Sequence, residues 1–183
     1  MADYADRYRN LSARLTRIAD QVAPDAWDLP SPCEGWSARD VLAHLVTTQW
    51  DFVTRFDFGQ GDYSPPEDPL RAWPEVRDRV QALLDDPQRA LTPYDGYFGP
   101  TNFAATIDQF YATDLLVHAW DIARAAGLTD LEAMPADEVR RCLADINSLG
   151  DAVRQPGVFG PPVSVPDEAG EQARLLAFTG REP

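Results

Sequence analysis

The two histidines of the chain, His44 and His118, are the side chains best suited to chemistry. Each lies in the middle of a segment whose apolar residues have helical spacing. Asp114 precedes His118 by four residues, so the carboxylate and the imidazole lie one turn apart on one face of a helix. A carboxylate–imidazole pair at this spacing can supply two ligands to a divalent metal.

The helical stripe that carries this pair is otherwise apolar. Its other members are Phe103, Ile107, Phe110, Ile122 and Ala125. A carboxylate buried without a partner is strongly destabilising, so Asp114 needs a counter-charge. His44 lies near the inward face of another helix and would bring a second imidazole opposite the pair. We therefore predict a metal site formed by His44, Asp114 and His118, with coordination positions left open as in catalytic zinc sites. Fe(II) uses a similar ligand set, so ligand type alone does not identify the metal.

These side chains must be positioned by helices, because helical periodicity dominates the chain. Six segments have the spacing of a helix: residues 4–22, 38–58, 69–85, 102–126, 135–154 and 167–178. Ser37 and Asp40 have the spacing of a capping box at the start of the second segment, and Gly127 is a natural C-cap for the fourth. We find no alternation typical of strands and predict no β-hairpin.

This pattern predicts an all-α fold. We expect a four-helix bundle with additional short C-terminal helices, forming a single domain over residues 1–183. The core of such a bundle is a usual place for a metal or cofactor. Loops at 59–68 and 87–101 would shape a pocket above it.

Composition excludes several classes of partner. The 183 residues carry a formal charge of −14, and all 16 basic residues are arginine. Such a surface repels phosphate backbones and anionic lipids, so we expect neither nucleic-acid nor membrane binding. The charged N-terminus is unlike a signal peptide, and no apolar run is long enough to span a bilayer. We expect a cytoplasmic protein in which Cys33 and Cys142 are free thiols.

Two motifs resemble a known family. The segments "PSPCEGWSARDVLAHLV" and "DLLVHAWDIARAAG" are similar to the metal-binding bundle of mycothiol-dependent maleylpyruvate isomerases, within the DinB-like group. The segments "GYFGPTNF" and "RLLAFTGREP" resemble a single-domain subfamily, so the resemblance covers about residues 8–183. The absence of lysine also suits the high-GC actinobacteria that make mycothiol.

The resemblance implies a function for the predicted site. The family's metal ligands match His44, Asp114 and His118, with aspartate here where the isomerase itself has glutamate. The metal would most readily be Zn²⁺, with Ni²⁺ or Fe²⁺ as alternatives. It would take up a thiol, mycothiol in this family, and the thiolate would attack a small electrophilic substrate in a transferase or isomerase reaction. Related bundles often dimerise, which suggests a homodimer.

Further residues are candidates for supporting roles. Asp121 could orient a ligand histidine, and Arg124 could pair with an anionic substrate group. Aromatic side chains could wall the pocket, and the candidates are Trp36, Trp50, Trp120, Tyr94, Tyr97 and Phe98. Cys33 could be a fourth ligand or a reactive thiol, although a buried structural cysteine is the more ordinary interpretation.

Two other functions remain open from the residues alone. A metal-dependent hydrolase would use bound water and a nearby general base, for which Asp121 and Asp40 are the candidates. A non-catalytic module would bind a metal or small ligand without turnover. Activity that requires an added thiol would distinguish the first function from both of these.

Overall fold

The computed structural model describes residues 2–56, 58–59, 61–150 and 159–183. Its helices are α1 (Ala2–Ala19), α2 (Ala38–Thr54), α3 (Pro69–Asp85), α4 (Pro87–Ala90), α5 (Phe103–Thr106), α6 (Ala112–Ala125), α7 (Ala136–Leu149) and α8 (Glu171–Phe178). The predicted all-α class is confirmed, and each of the six predicted segments corresponds to helix within the described residues. The predicted end of the fifth helix, residues 151–154, lies outside them.

Four helices form the bundle. Helix α2 packs against α3 and α6, and α1 packs against the same two helices from the other side. The buried apolar side chains form one continuous core, and its largest fully buried members are Trp120, Tyr8, Phe103, Leu15, Ile18, Leu42, Leu45, Leu83, Ile107, Leu115, Leu116 and Ile122. Burial of these side chains is the main force that holds α2 against α6.

The start of α2 is fixed by local hydrogen bonds. Ser37 and Asp40 form the predicted capping box, in which the serine hydroxyl accepts from the Asp40 amide and the aspartate accepts from the Ser37 amide. Before it, the Ser31 amide donates to the Trp36 carbonyl at 2.8 Å, and Pro30 and Ser37 form an isolated β-bridge. This ordered turn brings Trp36 over the first turns of α2.

The prediction that the chain has no β-hairpin is wrong. Strands β1 (Pro93–Gly96) and β2 (Gly99–Asn102) pair in antiparallel register, with Tyr94 opposite Thr101. The strands contain proline and glycine instead of alternating apolar residues, so periodicity gave no signal. The hairpin is held by Tyr94, whose ring contacts Phe52 and Phe56 and whose hydroxyl lies 2.6 Å from that of Thr106.

The predicted fourth helix is continuous but not regular. Residues Ile107–Tyr111 form a π-helical turn between α5 and α6. A π turn adds one residue and rotates the preceding part of a helix relative to the following part. The predicted apolar stripe is therefore broken at its middle, because Phe110 and Asp114 are half-buried whereas Ile107 and His118 are buried.

Helix α7 is attached to the bundle through a buried arginine. The Arg7 guanidinium of α1 donates to Glu138 at 2.6 Å and to the carbonyl and carboxylate of Asp108 at 2.8 and 3.1 Å. Its contact with the Cys142 sulfur, at 3.6 Å, completes the network. Charge-assisted bonds of this kind satisfy a cation that burial would otherwise destabilise.

No described helix combines the length and the apolar character that crossing a bilayer requires.

Candidate metal centre

The three predicted ligands come together where α2 faces α6. The Nε2 atom of His44 lies 3.7 Å from Oδ2 of Asp114, and the imidazole rings of His44 and His118 are 5.1 Å apart. Helix packing explains this approach, because Val41 and Leu45, on either side of His44, are fully buried. The helices therefore hold the three side chains at one end of a shared seam.

The site is open on one side. The side chains of His44 and Asp114 are 28% and 31% exposed, whereas that of His118 is 9% exposed. Trp36 covers another side, since its ring lies 5.0 Å from that of His44 and 6.3 Å from that of His118. A small molecule can therefore reach His44 and Asp114 from solvent, while His118 is shielded.

Behind His118 lies a buried ion pair. The Nδ1 atom of His118 is 2.8 Å from Oδ2 of Asp121, and the Arg181 guanidinium donates to the same oxygen at 2.7 Å. Asp121 is completely buried and Arg181 almost completely. Burial alone would raise the pKa of Asp121, but the hydrogen bonds and charges of His118 and Arg181 outweigh it and hold that pKa below the usual carboxyl range.

This arrangement selects one tautomer of His118. A carboxylate only accepts hydrogen bonds, so in the neutral imidazole the proton lies on Nδ1, where it can be donated to Asp121. The Nε2 atom then carries the lone pair. Histidines that bind metals are commonly held by a carboxylate in this way. The predicted supporting residue Asp121 therefore lies where that role requires it.

The donor set is compatible with a divalent metal. Two ligand atoms that each lie about 2.1 Å from a tetrahedral ion are about 3.4 Å apart, and the separation of His44 Nε2 and Asp114 Oδ2 is close to this value. Within the described ranges, however, no three His, Cys, Asp or Glu side chains are already clustered at metal-binding distances. Metal binding therefore stays a prediction that the convergence of the three side chains supports.

Three other residues predicted near the site have different surroundings. Arg124 donates to Glu132 at 2.8 Å and lies over the ring of Trp120, 5.5 Å from its centroid. Trp120 itself is almost fully buried in the core, where it cannot wall an open pocket. Tyr97 lies at the hairpin turn and is largely exposed, with its ring against Phe98.

Cys33 and Asp40 are two further residues that were predicted near the site. Cys33 is half-buried, and burial raises the pKa of its thiol, while Arg181 and Asp114 are near enough to act on it electrostatically. Asp40 is exposed at the start of α2, where its carboxylate accepts from the hydroxyl and amide of Ser37. The capping contacts place Asp40 one turn before His44 on the surface.

Arg181, which contacts Asp121, was not predicted from the sequence. It lies in the closing "TGREP", 60 positions after Asp121. The sequence indicated such a residue only indirectly. Asp121 lies on a helix that is buried on nearly all sides, and a buried carboxylate requires a cationic partner. Nothing in the spacing identified which of the 16 arginines would provide it.

A shallow groove lies next to the π-helical turn that precedes α6. It has a volume of about 160 Å³ between the hairpin and the π-helical turn. Its aromatic members include Tyr94, Tyr97, Phe98 and Phe110. Phe98 and Phe110 stack with ring centres 5.9 Å apart. Phe110, the lining residue nearest to the predicted ligands in the chain, precedes Asp114 by four residues.

Comparison with known proteins gives one family and one pair of relatives. The family model of the mycothiol maleylpyruvate isomerase N-terminal domain matches residues 8–123. An uncharacterized protein of Mycobacterium tuberculosis, found in strains CDC 1551 and H37Rv, is 30% identical over 174 residues, with 87% of each chain covered. No solved structure matches. The matched range includes His44, Asp114, His118 and Asp121 and ends before Arg181.

Proposed function

This chain belongs to the mycothiol maleylpyruvate isomerase N-terminal domain family, and on that premise we propose that it is a metal- and thiol-dependent transferase or isomerase. Its thiol would be mycothiol and its substrate a small electrophile. The observation that carries the proposal is the approach of His44 to Asp114 and of His118 to His44 from two facing helices.

The metal would be a divalent cation, with Zn²⁺ as the first candidate. When bound, it would act as a Lewis acid that lowers the pKa of a thiol. His44 and His118 would bind it as neutral imidazoles, and Asp114 would offset part of its charge. Asp121 would hold the His118 ring, and Trp36 would keep water from one side of the imidazoles.

The open side of the site suits a thiol and a second substrate. His44 and Asp114 are accessible, so a thiolate can be held beside them. In an isomerisation the thiolate adds to a double bond and leaves again after rotation about the resulting single bond. In a transfer the new C–S bond persists, and the leaving group takes the electron pair. The aromatic groove between the hairpin and the π-helical turn would bind an apolar or planar part of either molecule.

The hydrolase alternative is less well supported by the surroundings of its two candidate bases. The carboxylate of Asp121 is buried against Arg181 and His118. That of Asp40 is bonded to Ser37. A general base must be able to reach the water that it deprotonates, and both acids are already used in other contacts.

A thiol-dependence assay tests the proposal. The zinc-loaded protein is incubated with a panel of electrophiles, including maleylpyruvate and α,β-unsaturated carbonyl compounds, with mycothiol, with cysteine and with no thiol. We expect turnover with mycothiol only, lost in His118→Ala and kept in Asp130→Asn, a matched control at an exposed position of the turn after α6. Turnover without thiol would instead indicate a hydrolase. The absence of turnover under every condition would indicate a non-catalytic binding module.

A further inference from the structure

The C-terminal end of the chain reaches the back of the candidate metal centre. The Arg181 guanidinium contacts both oxygens of Asp121, with Nε 3.2 Å from Oδ1 and Nη2 2.7 Å from Oδ2. A planar guanidinium on two carboxylate oxygens fixes the plane of the carboxyl group as well as its position. The Asp121 carboxylate can therefore turn only if Arg181 moves with it.

One oxygen of Asp121 connects the arginine to the histidine. Oδ2 accepts from Arg181 and lies 2.8 Å from Nδ1 of His118. The guanidinium itself is 3.5 Å from that nitrogen, so its direct contact with the ring is weak. Any effect of Arg181 on the direction of the His118 ring must therefore pass through Asp121.

The backbone around Arg181 is held in place independently. The Arg181 amide donates to the Leu176 carbonyl at 2.9 Å, and its Nη1 atom donates to the Thr179 carbonyl at 2.7 Å. The Val163 amide donates to the Ala177 carbonyl, which attaches an extended segment to the end of α8. These bonds fix where the guanidinium enters the bundle.

We propose that Arg181 is a positioning residue for His118. Through Asp121 it fixes the ring orientation and the Nδ1–H tautomer of His118, so that Nε2 is presented to the metal. The C-terminal segment is then part of the metal site, although it contributes no ligand. This inference rests on the proposed metal site.

A purely structural salt bridge is the competing explanation. Such a pair would stabilise the fold without directing the imidazole, and its loss would lower the melting temperature of the metal-free protein but leave the intrinsic affinity for zinc unchanged. Affinity and tautomer are therefore the measurements that separate the two roles.

The experiment uses the full chain with Arg181→Lys, Arg181→Met, Asp121→Asn and the double variant Arg181→Met/Asp121→Asn. Arg174→Met is the matched control, since Arg174 lies exposed on α8 and donates to the Asp167 carbonyl at 2.6 Å. The zinc dissociation constant is measured by competition with a chromogenic chelator. The tautomer of His118 is read from ¹⁵N–¹H NMR of the metal-free protein at a pH where the ring is neutral.

We expect the two Arg181 variants to weaken zinc binding by about 10- to 100-fold, the range for loss of a residue that orients a ligand. Arg174→Met should stay within about twofold of wild type. In the Asp121→Asn background, Arg181→Met should lower zinc affinity little further, because both changes break the same connection to His118. Wild-type His118 should show the Nδ1–H pattern, and Arg181→Met should show a mixture of tautomers.

Several results would overturn the inference. Equal zinc affinity in wild type and Arg181→Lys would overturn it. So would a loss of zinc affinity on Arg181→Met that is as large in the Asp121→Asn background as in the wild-type background. If Arg181→Met does not fold, Arg181→Lys and the wild-type NMR pattern decide. An Nε2–H tautomer in wild type would also count against it. A wild type that binds no zinc would instead remove the proposed metal site, and the inference with it.

Discussion

The phenol of Tyr111 donates a hydrogen bond to the backbone carbonyl of Thr48, with an oxygen–oxygen distance of 3.2 Å. Thr48 lies one turn after His44 on α2, and Tyr111 lies three residues before Asp114. The bond therefore joins α2 to the end of the π-helical turn from which α6 begins, close in the chain to the candidate ligands. Burial raises the pKa of Tyr111, so its hydroxyl remains a donor throughout the ordinary pH range.

Tyr111→Phe should weaken this connection without changing the core volume. We expect the free energy of unfolding to fall by about 0.5–1.5 kcal/mol, the usual net value of one hydrogen bond. Zinc affinity should also fall slightly, because α2 and α6 would separate more easily at the site. Urea denaturation measures the first effect. Tyr63→Phe is the control, since Tyr63 and its partner Glu75 are exposed, and an effect as large as that of Tyr111→Phe would contradict this account.

Asp40 should make the start of α2 sensitive to acid. Its hydrogen bonds from Ser37 lower the pKa of the carboxyl group. A group whose pKa is lower in the folded state contributes stability above its unfolded pKa, and that contribution is lost as the pH falls through the folded value. Asp40→Asn should therefore be less stable than wild type at pH 7, and the difference should shrink as the pH falls below about 4. A pH-independent difference in melting temperature would be inconsistent with this cause.

Gly180 is the residue at which a side chain should disturb the C-terminal segment most. Its φ is +87°, and a Cβ atom there would lie 3.1 Å from the Pro161 carbonyl oxygen. Gly127 has a φ of +68° and open space around it. A substitution there therefore measures the cost of the positive φ alone, without a steric contact. Gly127→Ala should cost about 1–2 kcal/mol of unfolding free energy, and Gly180→Ala should cost more. Only Gly180→Ala should also lower zinc affinity, since it displaces Arg181, and equal affinities in the two variants would argue against that coupling.

Much of the fold followed from the spacing of apolar residues. The third helix has the predicted bounds of residues 69–85, and the Ser37–Asp40 capping box forms as expected. These features depend on neighbours within one or two turns, which a sequence displays directly.

Features that depend on distant partners or single-residue irregularities could not be predicted in this way. The hairpin depends on Tyr94 packing against Phe52 and Phe56. The π turn changes the face on which Phe110 lies without changing its spacing from Asp114. The Arg181–Asp121 pair joins residues that only the tertiary fold brings together.

Metal content shows whether His44, Asp114 and His118 bind a divalent metal. Five proteins are purified without chelator under reducing conditions and reconstituted with Zn²⁺: wild type, His44→Ala, Asp114→Asn, His118→Ala and the control Asp130→Asn. After desalting, elemental analysis gives the zinc bound per chain. We expect about one zinc per chain in wild type and the control, and loss of most of it in the three site variants. A wild type that retains no zinc, or site variants that retain as much as wild type, would contradict it.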